Sequence, residues 1–218
     1  MVKTLLIRIL TSIILIPLSL FFIVKGSYYF NIFILIVLFF SLREWSFVKQ
    51  KKVFYFIGLI FLFFSFYTVY ELRNLNNNYF FFLLTLSICI ATDVGGYVFG
   101  NLFKGPKLTG ISPNKTYTGV IGSYFFSILI VSLVSYKSYY FFNDIQISVN
   151  LIIFTILIST ISQLGDLTIS YFKRLFKIKD TGKIIPGHGG ILDRIDGMIF
   201  AFPVSYIILS TNLFTITK

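Results

Sequence analysis

Long apolar runs recur along this sequence, and they limit the folds that it can adopt. A helix needs about 20 mostly apolar residues to cross the hydrocarbon core of a bilayer, so such runs predict transmembrane helices. An outer-membrane barrel would instead show segments of about ten residues with alternating hydrophobicity, and these are absent. We therefore expect an all-α, polytopic transmembrane helical bundle.

Seven apolar segments can be marked, which predicts about seven spans. They are Leu5–Val24, Tyr28–Leu42, Val53–Tyr70, Tyr79–Phe99, Val120–Tyr136, Val149–Leu164 and Met198–Leu213. The second and the sixth are short for a span, so we expect one of them to be tilted or only partly inserted. The chain shows no internal repeat and no low-complexity linker, and residues 1–218 are expected to form a single integral-membrane domain.

The polar stretch between the last two segments, residues 170–196, concentrates the chemistry of the chain. It holds the single histidine, His188, and six of the nineteen basic residues. Counted with the residue just upstream, it also holds four of the eight acidic residues: Asp166, Asp180, Asp193 and Asp196. Because nearly everything around this loop is hydrocarbon, we expect the functional site there.

The basic residues predict how the spans are oriented. If the N-terminus lies inside and the segments cross alternately, fifteen basic residues face the cytoplasm and four face outside. This asymmetry follows the positive-inside rule and places the polar loop at the cytoplasmic face of a bacterial-type plasma (inner) membrane. Orientation also accounts for the net charge of +11, so we expect the lipid bilayer and no nucleic acid as a partner.

Three acids of the loop region are candidate metal ligands. Asp193 and Asp196 are three residues apart, and they lie on one face of a first helical turn if Gly190–Gly197 opens the last helix. Asp166 reaches the same point if that helix packs against the preceding span. Carboxylates this close repel one another unless a cation lies between them, and all-oxygen ligands suit Mg²⁺. The alternative is that the acids only cap helices or pair with Arg194.

Phosphate groups are natural partners for the basic residues of the loop. Lys173, Arg174 and Lys179 offer donors for phosphate oxygens, and the arginine can do so with a bidentate fork. The alternative is attraction to anionic lipid headgroups, which is all that Lys177 and Lys183 are expected to provide.

A glycine-rich turn surrounds the histidine. Gly187, Gly189 and Gly190 allow a positive φ and a close backbone approach, as phosphate-binding loops require. Such turns are common beside helix starts, so the motif alone is weak. His188 suits either acid–base chemistry or donation to a phosphate, and we favour donation because the sequence offers it no partner.

A second polar patch runs from Asp93 to Gly122. A charged Asp93 inside the fourth span would cost about 2.5–3.5 kcal/mol on insertion scales, which favours a functional role. The alternative is that the helix ends near Ala91 and leaves this aspartate in water. The turn Ser112–Thr116 contains hydroxyls and Lys115, and it predicts either phosphate contacts or a helix cap with an orienting lysine.

The charged, glycine and proline residues of the loop follow a spaced pattern, Ser170-x-Phe172-Lys173-Arg174-x₄-Lys179-Asp180-x-Gly182-x₂-Ile185-Pro186-x-His188-Gly189-Gly190-Ile191-x-Asp193-Arg194-Ile195-Asp196. Further motifs are Gln163-Leu164-Gly165-Asp166, Ser112-Pro113-x-Lys115-Thr116, Glu44-Trp45 and Asp93-x-Gly95-x-Tyr97. Together they resemble the phosphatidate cytidylyltransferases (CDP-diacylglycerol synthases). The likeness covers essentially the whole chain, and the long pattern is highly specific.

The resemblance implies a homodimeric membrane enzyme that transfers CMP from CTP to phosphatidic acid, with Mg²⁺ as its cofactor. The products would be CDP-diacylglycerol, a phospholipid precursor, and pyrophosphate. Carried over position by position, the catalytic, metal-binding carboxylates are Asp166, Asp193 and Asp196. The implied substrate contacts are Lys173, Arg174, Lys179, His188 and Arg194, with Ser112, Lys115 and Asp93 of the second patch as further candidates. Whether a second cation such as K⁺ shares the site stays open.

The chain departs from the family pattern at one place. Relatives commonly read SPKKTWEG, whereas this chain has Asn114, Tyr117 and Thr118 where a lysine, a tryptophan and a glutamate are common. Family roles are therefore not carried over to these three side chains, but Lys115 is kept.

Two other functions fit parts of the sequence. A CTP-dependent polyprenol or dolichol kinase also joins CTP to a membrane alcohol, but it releases CDP instead of pyrophosphate. A small-solute transporter would line a midplane site with Asp93 and glycine-broken segments. Against a transporter, nearly all polar residues lie at one membrane surface, and no pair of interrupted helices recurs in the two halves.

Overall fold

The fold is built from helices. The computed structural model describes residues 2–75, 79–110, 112–113, 115–142 and 148–211. The helices in chain order are α1 (Val2–Lys25), α2 (Ser27–Trp45), α3 (Lys52–Asn74), α4 (Phe80–Phe103), α5 (Tyr117–Phe142), α6 (Val149–Leu175), α7 (Leu192–Ile195) and α8 (Met198–Ser210). A 3₁₀ turn at Ser46–Val48 follows α2. The described ranges contain no strand beyond two isolated bridges, so the all-α prediction is confirmed.

Among the described residues, five helices, α2 to α6, are long and apolar enough to cross a membrane. The apolar stretch Leu10–Lys25 of α1 and helix α8 are shorter. Together these seven helices correspond to the seven predicted segments, and the prediction of a polytopic bundle with about seven spans is confirmed. The predicted end of the last segment, Leu213, lies outside the described residues.

The expectation that the second and sixth segments are short is wrong. The second helix with its 3₁₀ turn covers 22 residues, Ser27–Val48, and α6 covers 27 residues. A helix as long as α6 extends about 40 Å, which exceeds the hydrocarbon core of about 30 Å. The apolar pattern stopped at Leu164 because hydropathy marks where a helix leaves the apolar region and not where the helix itself ends.

Helices α4 and α5 form a closely packed antiparallel pair. A Cβ atom added to Gly95 would collide with the backbone carbonyl of Gly122, and one added to Gly122 would collide with Phe99. Small residues at a helix–helix contact let the two backbones approach, as is common between membrane helices. Gly95 and Gly96 therefore do not break α4, which continues to Phe103.

A serine on α3 supplies the hydrogen-bond donor that a proline removes from the backbone of α8. Pro203 lies inside this helix, and because it has no N–H, the carbonyl of Ile199 four residues earlier loses its helical donor. The hydroxyl of Ser65 on α3 donates to that carbonyl at 2.7 Å. Both residues are buried, so this bond satisfies a polar group within the bundle and ties α8 to α3.

An apolar cluster holds together the helix ends that carry the polar loop. Its buried members come from α2, α3, α6, α7, α8 and the 3₁₀ turn: Trp45, Val48, Leu62, Phe66, Ile169, Leu192 and Ile199. Leu192 immediately precedes Asp193, and Ile169 lies one turn beyond Asp166. Packing of this cluster thus fixes the backbone on which the polar residues sit.

We predict that Gly95→Leu lowers the melting temperature of the detergent-solubilised protein, because its side chain would push α4 and α5 apart. Overpacking of this kind typically costs about 1–3 kcal/mol. Gly110→Leu is the matched control, since a Cβ there meets nothing within 4 Å. Thermal unfolding followed by circular dichroism measures both variants, and equal melting temperatures would contradict the close helix contact.

Candidate active site

Helices α6 and α8 approach each other closely where two of the predicted acids lie. A Cβ atom on Gly197 would meet Ser162 at 2.5 Å, and one on Gly165 would meet Phe200 at 2.6 Å. Asp166 directly follows one of these glycines and Asp196 directly precedes the other. The packing that was expected to bring the two acids together is therefore present.

The electrostatics of Asp196 reflect this convergence. Burial raises the pKa of its carboxyl well above the ordinary value, and the nearby charge of Asp166 raises it further. Lys173 acts in the opposite direction, while Asp93 adds to the increase. Three acids, Asp93 on α4, Asp166 on α6 and Asp196 between α7 and α8, thus share one region, and the attraction of Lys173 does not outweigh burial and repulsion at Asp196.

Asp93 lies within a continuous helix. Helix α4 runs on for ten residues beyond it to Phe103, so the alternative that the helix ends near Ala91 is wrong. One residue before Asp93, a hydrogen bond joins helices α4 and α6. The Thr92 hydroxyl donates to the Ser159 hydroxyl at 2.8 Å. This bond explains how an aspartate of the second polar patch comes near those of the first.

Lys115 also connects the two polar patches. Its ammonium group lies 2.7 Å from a carboxylate oxygen of Asp166 and donates to the carbonyl of Gln163 at 3.4 Å. Ser112 stands at the start of the same turn, where its carbonyl accepts the backbone N–H of Lys115 at 3.1 Å. Through Lys115, the turn predicted to contact phosphate is thus paired with Asp166, the candidate metal ligand on α6.

Asp193 has a different set of partners from the other acids. One carboxylate oxygen pairs with Lys173 at 2.9 Å, and the other accepts the backbone N–H groups of Thr181 at 2.8 Å and Gly190 at 3.0 Å. Burial alone would raise the pKa of Asp193, but the hydrogen bond from Lys173 and those from the two amides outweigh it and lower the pKa below its ordinary value. Asp193 therefore fastens the loop to α6.

The loop begins where α6 ends in a tight reversal. The N–H of Ile178 bonds to the carbonyl of Lys173, and the N–H of Lys177 bonds to that of Arg174. These are the two bonds of a Schellman motif, with Lys177 at the left-handed position usually taken by glycine, at φ 56°. This turn leaves the predicted phosphate contacts Lys173 and Arg174 on the last helical turn.

A hairpin-like turn shapes the histidine segment. The backbones of Ile185 and Gly189 bond to each other in both directions, at 2.9 and 3.2 Å. Gly187 and Gly189 have φ values of 77° and 88°, which side chains with a Cβ rarely adopt. The prediction that glycines here permit a positive φ is confirmed for these two residues.

His188 contacts helix α1 instead of standing alone. Its Nδ1 is hydrogen-bonded to the hydroxyl of Thr11 at 2.9 Å, and its Nε2 lies 3.5 Å from that of Ser12. The guanidinium of Arg194 donates to the carbonyl of His188 at 2.7 and 3.2 Å. Sequence analysis could not identify these partners on α1, because they lie 176 and 177 positions away.

Several predicted phosphate contacts carry no carboxylate partner. Among the described residues only two ion pairs form, Lys115–Asp166 and Lys173–Asp193. The side chains of Arg174, Lys179 and Arg194 are exposed. These three cations lie on the loop or at its two ends and are accessible to an anionic ligand.

Glu44 is a site residue to which the sequence assigned no role. It is only 5% exposed, although it lies one residue before the end of α2. Its Oε1 accepts the N–H of Ile191 at 3.0 Å, and its Oε2 accepts the N–H of Leu192 at 2.7 Å and the hydroxyl of Thr181 at 3.1 Å. The Glu44-Trp45 motif was the only signal of its importance.

The third glycine of the histidine segment has a steric role. Gly190 is buried, and a Cβ there would meet Oε2 of Glu44 and the hydroxyl of Thr181, each at 2.5 Å. A Cβ on Gly182 would also collide with the carboxylate of Glu44. Gly190 is thus required for a close approach, and Gly182 shares that requirement.

The expected metal triad is not assembled as three adjacent ligands. Within the described parts of the chain, no group of three His, Cys, Asp or Glu side chains is placed to hold a metal ion. Asp166 and Asp196 lie close enough to influence each other, whereas both oxygens of Asp193 accept bonds from the loop and from Lys173.

An apolar groove of about 230 Å³ lies beside these polar residues. Its wall includes Trp45 of α2, Phe54 and Phe61 of α3, and Ile169 and Phe172 of α6. Phe172 directly precedes Lys173, so the groove begins next to the charged end of α6.

The positions that depart from the family pattern have local roles where they are described. The side chain of Tyr117 is exposed, and the hydroxyl of Thr118 accepts the N–H of Gly105 at 3.3 Å. Asn114 lies outside the described residues.

Comparisons with known proteins identify the family of the chain. A model of the cytidylyltransferase family matches residues 46–212. The chain is 37% identical over 207 residues to a phosphatidate cytidylyltransferase of Rickettsia typhi, covering 91% of this chain and 89% of that protein. It is 40% identical over 172 residues to one of Staphylococcus saprophyticus, covering 78% of this chain and 61% of that protein. The chain therefore belongs to the cytidylyltransferase family, a family of nucleotidyltransferases.

Proposed function

We propose that this protein is a phosphatidate cytidylyltransferase, which transfers CMP from CTP to phosphatidic acid and forms CDP-diacylglycerol and pyrophosphate. The observation that carries the proposal is the meeting of Asp166, Asp196 and several cations at one end of a membrane helix bundle. Its relatives from Rickettsia and Staphylococcus bear the name of this activity.

The exposed cations suit a reaction between two anions. In the proposed step an oxygen of the lipid phosphate attacks the α-phosphorus of CTP, and pyrophosphate leaves in line. Arg174, Lys179 and Arg194 would neutralise the phosphates and hold them in position, which is the main task of a protein in phosphoryl-type transfer. The bidentate geometry of the arginines fits phosphate oxygens.

No protein base is needed for the nucleophile. The second pKa of a phosphate monoester is about 6, so the attacking oxygen is already ionised at neutral pH. This agrees with His188, whose ring nitrogens contact hydroxyls of α1. We assign His188 to loop structure and to the approach of phosphate and not to proton transfer.

We propose Asp166 and Asp196 as the ligands of Mg²⁺. Their chemistry fits the ion, because Mg²⁺ in proteins usually binds one or two carboxylates and completes its shell with water and substrate phosphates. Burial and mutual repulsion make the charged form of Asp196 unfavourable without a cation. When bound, the ion would supply charge neutralisation between the two phosphates. Asp193 would act beside this pair by holding Lys173.

The apolar groove supports a lipid substrate. Apart from Thr168 and Gly58, its described lining consists of large apolar side chains, and it starts beside Lys173 and Arg174 at the end of α6. An acyl chain of phosphatidic acid in this groove would place the lipid phosphate at the cations. A free sugar or a small polar solute would gain nothing from such a surface.

We also propose that the site faces the cytoplasm of a bacterial plasma membrane, where CTP and Mg²⁺ are present. The excess of basic residues on the side of the loop supports this orientation. The homodimer that the family resemblance implies remains part of the proposal.

The function is tested by incubating the purified protein with labelled CTP, phosphatidic acid and Mg²⁺. We expect a lipid-soluble cytidine product and an equal amount of pyrophosphate. Release of CDP with a phosphorylated polyprenol as product would instead support the kinase alternative. Absence of any CTP turnover, whether phosphatidic acid or a polyprenol is the lipid added, would overturn the proposal.

We predict that Asp196→Asn and Asp166→Asn each reduce kcat by about a hundredfold or more, because each removes a ligand of the proposed Mg²⁺ ion, which would neutralise the reacting phosphates. The matched control is Glu71→Gln, since Glu71 lies near the far end of α3. Initial rates at saturating CTP measure the effect. Wild-type rates in both aspartate variants would rule out this metal site.

A further inference from the structure

We propose that Glu44 is a positioning residue, which closes the neck of the loop between α6 and α7 and so holds the phosphate-contacting residues in place. The loop-closing role rests on geometry alone, whereas its effect on turnover also rests on the proposed function. Nothing in the family pattern beyond the Glu44-Trp45 match points to this role.

The donors to Glu44 come from both ends of one loop. Thr181 stands near the start of the loop, and Ile191 and Leu192 stand at its end, yet all three donate to the same carboxylate. One side chain from α2 therefore bridges the two ends of the segment 182–190, which contains His188. Without this bridge, the remaining described bonds of the segment to the rest of the fold are those to Asp193 at its neck and those of His188 with α1 and Arg194.

Glu44 depends on the loop as much as the loop depends on Glu44. The side chain is 5% exposed, and among the described residues no Lys, Arg or His forms an ion pair with it. A buried carboxylate needs hydrogen-bond donors, and its donors here are two backbone N–H groups and one hydroxyl. Release of the loop would leave the carboxylate without them, so the bound arrangement is favoured.

The fit between loop and carboxylate leaves no spare room. The backbone at Gly182 and Gly190 lies directly against the Glu44 carboxylate, where any Cβ would collide with it. Two requirements thus explain the glycines of the loop. Gly187 and Gly189 adopt a positive φ, and Gly182 and Gly190 lie in contact with Glu44.

The effect on chemistry runs through neighbouring residues. Leu192, which donates to Glu44, precedes Asp193, and Asp193 pairs with Lys173 at 2.9 Å. Arg194 follows on the same short helix, α7, and Asp196 comes directly after that helix and lies near Asp166. A loop freed from Glu44 would therefore loosen cations and acids together, and the contacts of Glu44 itself are with the loop.

The direct test is limited trypsin digestion of Glu44→Gln in detergent. A glutamine offers one acceptor oxygen and one NH₂ group, so it cannot satisfy both Ile191 and Leu192. Lys179 and Lys183 are exposed cleavage sites in the loop. We expect cleavage there to be about tenfold faster than in the wild type, since loss of about 1.4 kcal/mol of local stability has that effect. Glu71→Gln, the other glutamate, should match the wild type.

Kinetics then separate positioning from general destabilisation. We expect Glu44→Gln to keep its melting temperature within a few degrees, while kcat/KM for CTP falls about tenfold. Thr181→Val removes one donor and should give a smaller change, and the double variant should be no worse than Glu44→Gln alone, because both disturb one contact.

Unchanged loop cleavage and unchanged kcat/KM in Glu44→Gln would overturn the inference. If that variant does not fold, Gly190→Ala serves instead, since its Cβ would push on the same carboxylate, and unchanged cleavage there would equally overturn it. Faster cleavage in a protein whose wild type makes no CDP-diacylglycerol would leave loop closure supported and defeat only the proposed function.

Discussion

The site depends on two buried carboxylates that accept the backbone N–H groups of a polar loop. Glu44 and Asp193 together bind Thr181, Gly190, Ile191 and Leu192 through main-chain or hydroxyl donors. A loop at a membrane surface cannot leave such donors unpaired when apolar helices cover it. The same bonds that satisfy the backbone therefore fix the conformation of the loop and hold its cations beside Asp166 of α6 and Asp196, which lies between α7 and α8.

The rest of the site is carried by rigid helices. Close contacts at Gly165 and Gly197 set α8 against α6, and the bond from Ser65 to the carbonyl of Ile199 sets α8 against α3. Asp166 on α6 and Asp196, two residues before α8, consequently have little freedom to move apart, so the repulsion between them persists in the folded protein. A divalent cation between the two carboxylates would relieve that repulsion and attract the two phosphates, which is why the proposed reaction suits this geometry.

The sequence allowed the helical bundle, the polar loop and most of the candidate residues to be predicted, because hydropathy and clustered charge are local properties of a chain. It placed the end of α6 too early and left open whether α4 continues past Asp93, since hydropathy does not mark where a helix ends. It could not reveal that Lys173 pairs with Asp193, or that Glu44 binds the loop. Those contacts join residues 20 and up to 148 positions apart, and only the packed structure brings them together.

The most direct test of the central claim is binding of Mn²⁺, as a substitute for Mg²⁺, measured by electron paramagnetic resonance in the presence of CTP. The account predicts one bound ion in the wild-type protein and in Glu71→Gln, with affinity at least about tenfold weaker in Asp166→Asn and in Asp196→Asn. Equal affinity in all four proteins would show that these two aspartates do not hold the ion and would contradict the account.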